Sequence, residues 1–150
     1  MSTCDMPPPQ GDNFAAAARR HLVDSAVLFE RQRWDGAVYL SGYVAECSLK
    51  LLVERWLLVV GSEFSHRLGK LEAAASGARG FELLVALSPA MRPLRLWRTI
   101  AGTVLDQDHP DRRYFTDGWT AHEAESALEL ASEVYQRTVA EDVLDGRISF

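Results

Sequence analysis

Residues 34–60, WDGAVYLSGYVAECSLKLLVERWLLVV, form the longest stretch of the chain with a steady 3.6-residue period and no proline. On a helical wheel their polar side chains fall into two stripes on opposite sides. One stripe consists of Tyr39, Tyr43, Glu46, Lys50 and Glu54, and the other of Ser41, Ser48 and Arg55. Apolar residues fill both flanks between the stripes, whereas a surface helix carries only one apolar stripe. The pattern predicts a helix that is covered from two sides, at the centre of an α-helical bundle.

The composition is that of a soluble globular protein of one domain. The chain has 150 residues, of which 47% are hydrophobic and 25% charged. A formal net charge of −5 argues against attraction of nucleic acid to the whole surface, although a local basic patch would still bind it. No signal sequence begins the chain, and its most apolar run, 49–60, is too short and too charged to span a bilayer. We therefore expect a cytoplasmic protein without membrane association.

The first half of the chain predicts a flexible tail followed by an antiparallel helix pair. Residues 1–11 contain three consecutive prolines and no periodicity, so we expect a flexible tail before a single domain over 12–150. Asp12 or Asn13 can cap a first helix that ends near Arg31. Asp35 is placed to cap the central helix, and the short link between the two helices makes them antiparallel neighbours.

The second half predicts two or three further helices. A short helix over 66–78 would carry Leu68 and Leu71, and another would begin between Pro89 and Pro93 and run to about Leu105. Residues 106–118 are rich in Asp, Pro and Gly and predict a loop. The sequence TAHE at 120–123 is a capping box, which opens a last helix that runs to about Leu144. With no convincing strand, we predict an all-α fold, an up-and-down bundle of four to five helices.

The stripe that contains Tyr43, Glu46 and Lys50 admits two interpretations. Glu46 and Lys50 stand at i,i+4 in the favourable order, so a structural ion pair with tyrosines packed beside it is the simpler one. Buried charge is costly unless it is paired, so the alternative is a polar seam that stays open towards a cleft. His66, in the segment FSHRLGKL, is expected to hydrogen-bond at the start of the third helix.

A group of arginines suggests a second contact surface. The residues that would form a cationic patch able to hold phosphate oxygens are Arg92, Arg95, Arg98, Arg112 and Arg113. Tyr114, next to Arg113, adds a ring on which a base could stack. The somewhat favoured alternative is that the arginines neutralise the glutamates of the acidic last helix. The candidate ligand-binding residues of the chain are Tyr43, Glu46, Lys50, His66, Arg113 and Tyr114.

The sequence predicts neither a metal site nor a cofactor. The aspartates between 106 and 117 lack the glycine and the final glutamate of a calcium loop, and no two histidines stand at i,i+4. Phosphate-binding glycine loops and nucleophile elbows are absent from the sequence. Cys47 lies on an apolar flank of the central helix, which predicts a buried, reduced thiol.

Several segments, taken in order, resemble the HEPN domains, the nucleotide-binding domains of higher eukaryotes and prokaryotes. They are Arg20-His21, the segment RWDGAVYLSGYVAECSLKLLVE with its GY-x-x-E-C-x-L-K core, His66-Arg67-Leu68, and Arg113-Tyr114. The likeness spans roughly residues 13–145 and is greatest to small stand-alone bacterial members. It implies a four- to five-helix bundle, commonly a homodimer.

Many HEPN proteins are metal-independent ribonucleases that act as toxins or in phage defence beside a nucleotidyltransferase partner. Their signature is an Arg followed by a His after four to six residues, and no such pair occurs in this sequence. The resemblance therefore favours a dimeric module of a stress or defence system that binds a nucleotide, RNA or a partner protein. The alternatives are a divergent metal-independent ribonuclease that uses His122 or His66 with Arg113, and a purely structural protein-interaction module.

Overall fold

The computed structural model describes residues 13–57, 66–68, 71, 100, 102–114 and 118–146, without the side chains of 53–57, 113 and 114. Helix α1 spans Phe14–Glu30, α2 spans Trp34–Leu57, and a 3₁₀ helix spans Asp111–Tyr114. Helix α3, Ala121–Tyr135, continues through a π-helical turn, Gln136–Ala140, into α4, Glu141–Leu144. Strands do not occur among these residues, which confirms the all-α prediction for them. The predicted tail, and most of the predicted helices over 66–78 and 89–105, lie outside the described residues.

Helices α1 and α2 pack closely because small residues line their contact. Ala15, Ala18 and Ser25 are the buried residues of α1. The Ser25 hydroxyl donates to the carbonyl oxygen of Ala37 at 2.9 Å, and the Ser25 and Ser41 hydroxyl oxygens lie 2.8 Å apart. The Ser41 hydroxyl of the second polar stripe of α2 is thus paired inside the helix pair, whereas the Ser48 hydroxyl of the same stripe is buried without a hydrogen-bond partner among the described residues.

The start of α1 follows the sequence prediction, whereas the start of α2 does not. The Asn13 side chain caps α1 by accepting the backbone N–H of Ala16 at 3.0 Å. The prediction that Asp35 caps α2 is wrong, because the helix already begins at Trp34. Instead, the Asp35 carboxylate accepts the backbone N–H groups of Gly118 and Trp119, at 3.0 and 2.9 Å. It therefore ties the start of α2 to the segment that leads into α3.

Helix α2 is the central member of the described helices, as its two apolar flanks predicted. It packs against both α1 and α3. The shared core is formed by Val38, Val44, Leu49 and Leu52 from α2, Ala124, Ala127, Leu130, Ala131 and Val134 from α3, and Leu68, Leu71, Ile100, Leu105 and Trp119 from the intervening chain. Leu68 and Leu71 are fully buried.

The segment before the 3₁₀ helix contains the second helix boundary that was predicted wrongly from the sequence. A helix was expected to reach about Leu105, but residues 102–110 form consecutive turns. Gly102 has a φ of +79°, a backbone conformation that side-chain-bearing residues rarely adopt and that ends a right-handed helix. The turns direct residues 104–112 back against the middle of α2.

The last helix begins and ends where the sequence predicted. The Thr120 side chain accepts the backbone N–H of Glu123, and the Glu123 side chain accepts that of Thr120, so the predicted capping box is complete. The helix ends at Leu144, and Gly146 follows with a φ of +71°. The π-helical turn was not predicted. There the Thr138 hydroxyl donates to the Val134 carbonyl oxygen at 2.7 Å, a side-chain bond that competes with the regular helical pattern. Among the described residues, no helix is long and apolar enough to cross a membrane.

Candidate functional site

The Glu46 carboxylate lies at the centre of a buried polar cluster. Glu46 is only 3% exposed, yet both of its oxygens are occupied. Oε1 accepts the Lys50 ammonium at 2.8 Å and contacts His66 Nδ1 at 2.6 Å, while Oε2 contacts His109 Nε2 at 2.8 Å. We call Glu46, Lys50, His66 and His109 the Glu46 cluster. It joins two neighbouring turns of α2 to two segments that are 20 and 63 residues away in sequence.

The cluster keeps the Glu46 carboxylate ionised. Burial by itself raises the pKa of Glu46, but the hydrogen bonds from His109 and Lys50, the Lys50 charge and the His66 hydrogen bond outweigh burial. Together they lower the pKa from 4.5 to about 2. At neutral pH the carboxylate is therefore an acceptor only, and each of its three partners donates a hydrogen bond to it.

This requirement fixes the tautomer of His109. Burial lowers the pKa of His109, and the hydrogen bond to Glu46 offsets this only in part, so the ring is neutral at pH 7. Because Nε2 donates to Glu46, the proton of the neutral ring is on Nε2 and Nδ1 is an unprotonated acceptor. That Nδ1 atom is buried and has no hydrogen-bond partner. The edge of the ring packs against Tyr43, with ring centroids 4.9 Å apart.

Arg112 holds the segment that presents His109. Its Nη1 donates to the carbonyl oxygens of Val104 and Gln107 at 2.7 and 3.0 Å, and its Nη2 donates to the carbonyl oxygen of Val38 at 3.0 Å. The first two contacts close the turns on themselves, and the third fixes them to α2. Burial, opposed by the charges of Asp106 and Asp108, lowers the pKa of Arg112 to about 10, so the guanidinium remains charged at neutral pH.

Gly42 provides the space in which Arg112 and His109 meet α2. A Cβ atom at this position would lie 2.2 Å from Arg112 Nη2 and 2.5 Å from His109 Nδ1. Both distances are far below van der Waals contact. Glycine in a helix interior lowers helix stability, and here its lack of a side chain permits the close approach. The glycine of the GY-x-x-E segment thus belongs to the same structural unit as Glu46.

The cluster reaches the protein surface through His66 and three half-buried rings. The His66 side chain is 60% exposed, in contrast to the buried His109. The rings of His21 and Tyr39 lie 5.7 and 5.1 Å from that of Tyr43, which itself covers His109. We call His21, Tyr39 and Tyr43 the ring group. The rings meet edge-to-face or tilted rather than stacked, and such partly exposed rings, together with an exposed imidazole, are suited to binding a planar base and a phosphate.

The structure brings together four of the six residues singled out from the sequence. Glu46, Lys50 and His66 are in direct contact, and Tyr43 joins them through His109. The backbones of Arg113 and Tyr114 lie in the 3₁₀ helix, while their side chains lie outside the described residues. The Glu46–Lys50 ion pair expected from the i,i+4 spacing is present.

Two residues of the site were missed or misplaced by the sequence analysis. Arg112 was expected either to join a cationic patch or, as somewhat favoured, to neutralise the acidic last helix, but it is 2% exposed and its guanidinium contacts backbone carbonyls. His109 was not recognised as a site residue at all. Nothing local marks it, because its partner carboxylate is 63 residues away. The only available signal was Gly42, an unexplained glycine inside a helix, which indicates the close approach of another segment.

Comparison with known proteins does not assign a function to this site. No protein-family model, curated protein or solved structure matches the chain. Within the described residues, no group of three or more His, Cys, Asp or Glu side chains is arranged to hold a metal ion. Cys47 is buried and forms no disulfide bond with any described residue, in agreement with the predicted buried, reduced thiol.

Proposed function

We propose that this protein is a HEPN-like module that binds single-stranded RNA or a nucleotide at the surface formed by His66 and the ring group. The observation that carries the proposal is the exposed His66 imidazole, held 2.6 Å from a buried, ionised carboxylate whose other oxygen contacts His109, the ring that Tyr43 covers. Anchoring by Glu46 Oε1 orients the His66 ring and leaves its Nε2 atom available to a ligand. The rings supply stacking surface, and stacking of a base on an aromatic side chain contributes about 1–3 kcal/mol.

The resemblance to HEPN domains extends the proposal to assembly and partners. It supports a homodimer that works in a stress or phage-defence system beside a nucleotidyltransferase. Light scattering on the purified protein tests whether it is a homodimer. Co-purification with the product of a neighbouring gene tests whether it binds a nucleotidyltransferase.

Binding is tested by fluorescence anisotropy with a labelled single-stranded RNA and with AMP as competitor. We expect His66→Ala to weaken binding by roughly 10- to 150-fold, since a charge-assisted hydrogen bond contributes about 1.5–3 kcal/mol. His122→Ala is the matched control, because His122 is also exposed but lies on the first turn of α3. Equal affinities of the two variants, or no binding of either probe by the wild type, would refute the proposal.

The same cluster favours a second candidate function, metal-independent cleavage of RNA. One carboxylate orients two imidazoles, of which His66 is exposed, and a histidine fixed in this way can act as a general base. In the reaction His66 would remove the proton of a 2′-hydroxyl, the oxygen would attack the adjacent phosphorus, and the bond from phosphorus to the 5′-oxygen would break as that oxygen takes a proton from solvent water. The products are a 2′,3′-cyclic phosphate and a 5′-hydroxyl.

Cleavage is assayed on single-stranded RNA in the presence of EDTA, with identification of both product ends. His66→Ala should abolish it and His122→Ala should not. Wild-type protein that binds RNA but never cleaves it would leave the binding proposal intact and exclude the ribonuclease.

A further inference from the structure

His66 is the one exposed member of the Glu46 cluster. Its side chain is 60% exposed, whereas those of Glu46, Lys50 and His109 are buried. The ring is held at Nδ1, which lies 2.6 Å from Glu46 Oε1. The opposite, Nε2 side of this ring is therefore the part of the cluster that a molecule from solution reaches first.

Glu46 determines which nitrogen of His66 carries a lone pair. The ionised carboxylate only accepts hydrogen bonds, so Nδ1 keeps its proton in both charge states of the ring. In the neutral ring the lone pair is then on Nε2, on the exposed side. His109 is the opposite case, because its Nε2 donates to Glu46 and its unprotonated Nδ1 is buried.

The carboxylate is fixed in the position in which it holds His66. Its Oε2 contacts His109 Nε2 at 2.8 Å, and Arg112 ties the turns around His109 to α2. When Nε2 of His66 attacks an electrophile, the ring gains a positive charge, and the bond between Nδ1 and Oε1 then joins an imidazolium to a carboxylate. A bond between two ions is stronger than the bond before the attack. A nucleophile that is oriented by a fixed partner is the arrangement used in covalent catalysis.

The buried state of the other members limits the electrophile. Lys50 and His109 are buried, and the Nδ1 proton of His66 is held by Glu46, so the cluster offers no proton to a departing group. An alkoxide needs such a proton, whereas the carboxylate of an acyl phosphate leaves without one. The phosphoryl group is also anionic, so it pairs with the positive charge that the attack creates on the ring.

We propose that Nε2 of His66 is a nucleophile that accepts the phosphoryl group of a small acyl phosphate. The Nε2 lone pair forms a bond to phosphorus, and the bond from phosphorus to the acyl oxygen breaks. The electron pair of that bond leaves with the carboxylate, and no proton is transferred. The phosphorylated imidazolium keeps its Nδ1 proton and its hydrogen bond to Glu46. This reaction uses a residue that the proposed function assigns to ligand binding, but it requires no nucleic acid.

The test is incubation of the purified protein with acetyl phosphate, followed by intact-mass measurement. We expect one added phosphoryl group that is stable in alkali and lost in acid, as phosphohistidine is and a phosphorylated carboxylate is not. His66→Ala should abolish the modification. His122→Ala should not, because His122 is exposed but has no carboxylate hydrogen bond among the described residues. An unmodified wild type, modification at His122, or an acetyl group in place of the phosphoryl group would overturn the proposal. Wild type that binds RNA but is never phosphorylated would leave the binding function intact.

The position of the phosphoryl group on the ring tests the role of Glu46 without any variant. Phosphorus–nitrogen coupling in NMR distinguishes the two isomers of phosphohistidine, and we expect the Nε2 isomer alone. The Nδ1 isomer would overturn the proposal, because Glu46 would then not hold that nitrogen.

The rate of the reaction tests the same role in a variant that keeps the charge beside Lys50. Glu46→Asp withdraws the carboxylate from His66 by one carbon–carbon bond, and we expect phosphorylation to slow about tenfold or more. Glu125→Asp makes the same change at an exposed position of α3 and should leave the rate unchanged. Equal rates in the two variants would contradict the assigned role of Glu46.

Discussion

At the scale of single residues, Glu46 is the residue that joins the other members of the Glu46 cluster. Its carboxylate accepts Lys50, His66 and His109 at distances between 2.6 and 2.8 Å while it is almost fully buried. A buried charge is tolerated only when its partners are complete. From the sequence, this stripe could be a structural ion pair or a polar surface open towards a cleft. The geometry fits both interpretations, because the buried carboxylate that pairs with Lys50 also holds the exposed His66.

Replacing this carboxylate should destabilise the protein strongly. We expect Glu46→Gln to lower the free energy of unfolding by about 3 kcal/mol, because the change leaves Lys50 as a buried cation without its counter-charge. Urea denaturation followed by tryptophan fluorescence measures the effect. Glu125→Gln, at an exposed position of α3, should change stability by less than about 0.5 kcal/mol. An equally small loss in Glu46→Gln would show that the cluster contributes little to folding.

Gly42 gives a prediction whose sign is opposite to that of helix propensity. Alanine is favoured over glycine in a helix interior by about 1 kcal/mol. A Cβ at Gly42, however, would meet Arg112 Nη2 at 2.2 Å, and three backbone hydrogen bonds hold that guanidinium in place. We therefore expect Gly42→Ala to destabilise the protein by about 1–3 kcal/mol, as measured by thermal unfolding.

The control for this prediction lies on the same helix. A Cβ at Gly36 would lie 3.1 Å from Leu28 Cδ1, the end of a flexible side chain that can move slightly. Gly36→Ala should therefore be close to neutral in stability. A stabilised Gly42→Ala variant would mean that Arg112 and His109 do not approach α2 as closely as described.

At the scale of elements, the connection between the start of α2 and the start of α3 depends on Asp35. Both oxygens of its carboxylate accept the backbone N–H of Gly118, and Oδ1 also accepts that of Trp119. Hydrogen bonds to a charged acceptor contribute more than neutral ones. This contact replaces the capping role that the sequence suggested for Asp35.

Removal of the Asp35 side chain should therefore loosen the segment before α3. We expect Asp35→Ala to lower the free energy of unfolding by about 1.5–3 kcal/mol and to speed amide exchange at Gly118 and Trp119. Hydrogen exchange measured by NMR tests both sites. Asp24→Ala, at an exposed position on α1, should leave both exchange rates unchanged.

At the scale of the whole molecule, the buried ionisable groups predict that stability falls with acidification. His109 and His21 have lowered pKa values in the folded protein, chiefly through burial. Below about pH 6.5 the unfolded chain therefore binds protons that the folded protein does not, and stability decreases. Glu46 acts in a lower range, because its stabilisation is complete above pH 4.5 and is lost as the pH falls towards 2.

Urea denaturation at a series of pH values between 8 and 3 tests this behaviour. We expect the free energy of unfolding to fall in two stages, the first beginning near pH 6.5 and the second near pH 4.5. His109→Gln should reduce the dependence in the first stage, since it removes one of the two imidazoles whose pKa is lowered in the folded protein. A stability that rises on acidification below pH 6.5 would contradict the assigned charge states.

The sequence alone determined the elements whose signals are local. The period of residues 34–60 predicted the central two-sided helix, the i,i+4 spacing predicted the Glu46–Lys50 pair, and the TAHE motif predicted the start of α3. Each of these contacts joins residues within one or two turns of a helix. Spacing along the chain is then equivalent to distance in space.

Only the tertiary structure decided which distant residues complete the site. His109 reaches Glu46 across 63 positions, and Arg112 reaches Val38 across 74. His109 lies in a turn and Arg112 in a four-residue 3₁₀ helix, and neither carries a periodic signal that would indicate the direction of a side chain. Their placement results from the packing of the turns against α2 and from the missing side chain at Gly42. Burial then lowers the pKa of His109 and of Arg112. Burial depends on everything that surrounds a residue in space and not on its neighbours in sequence.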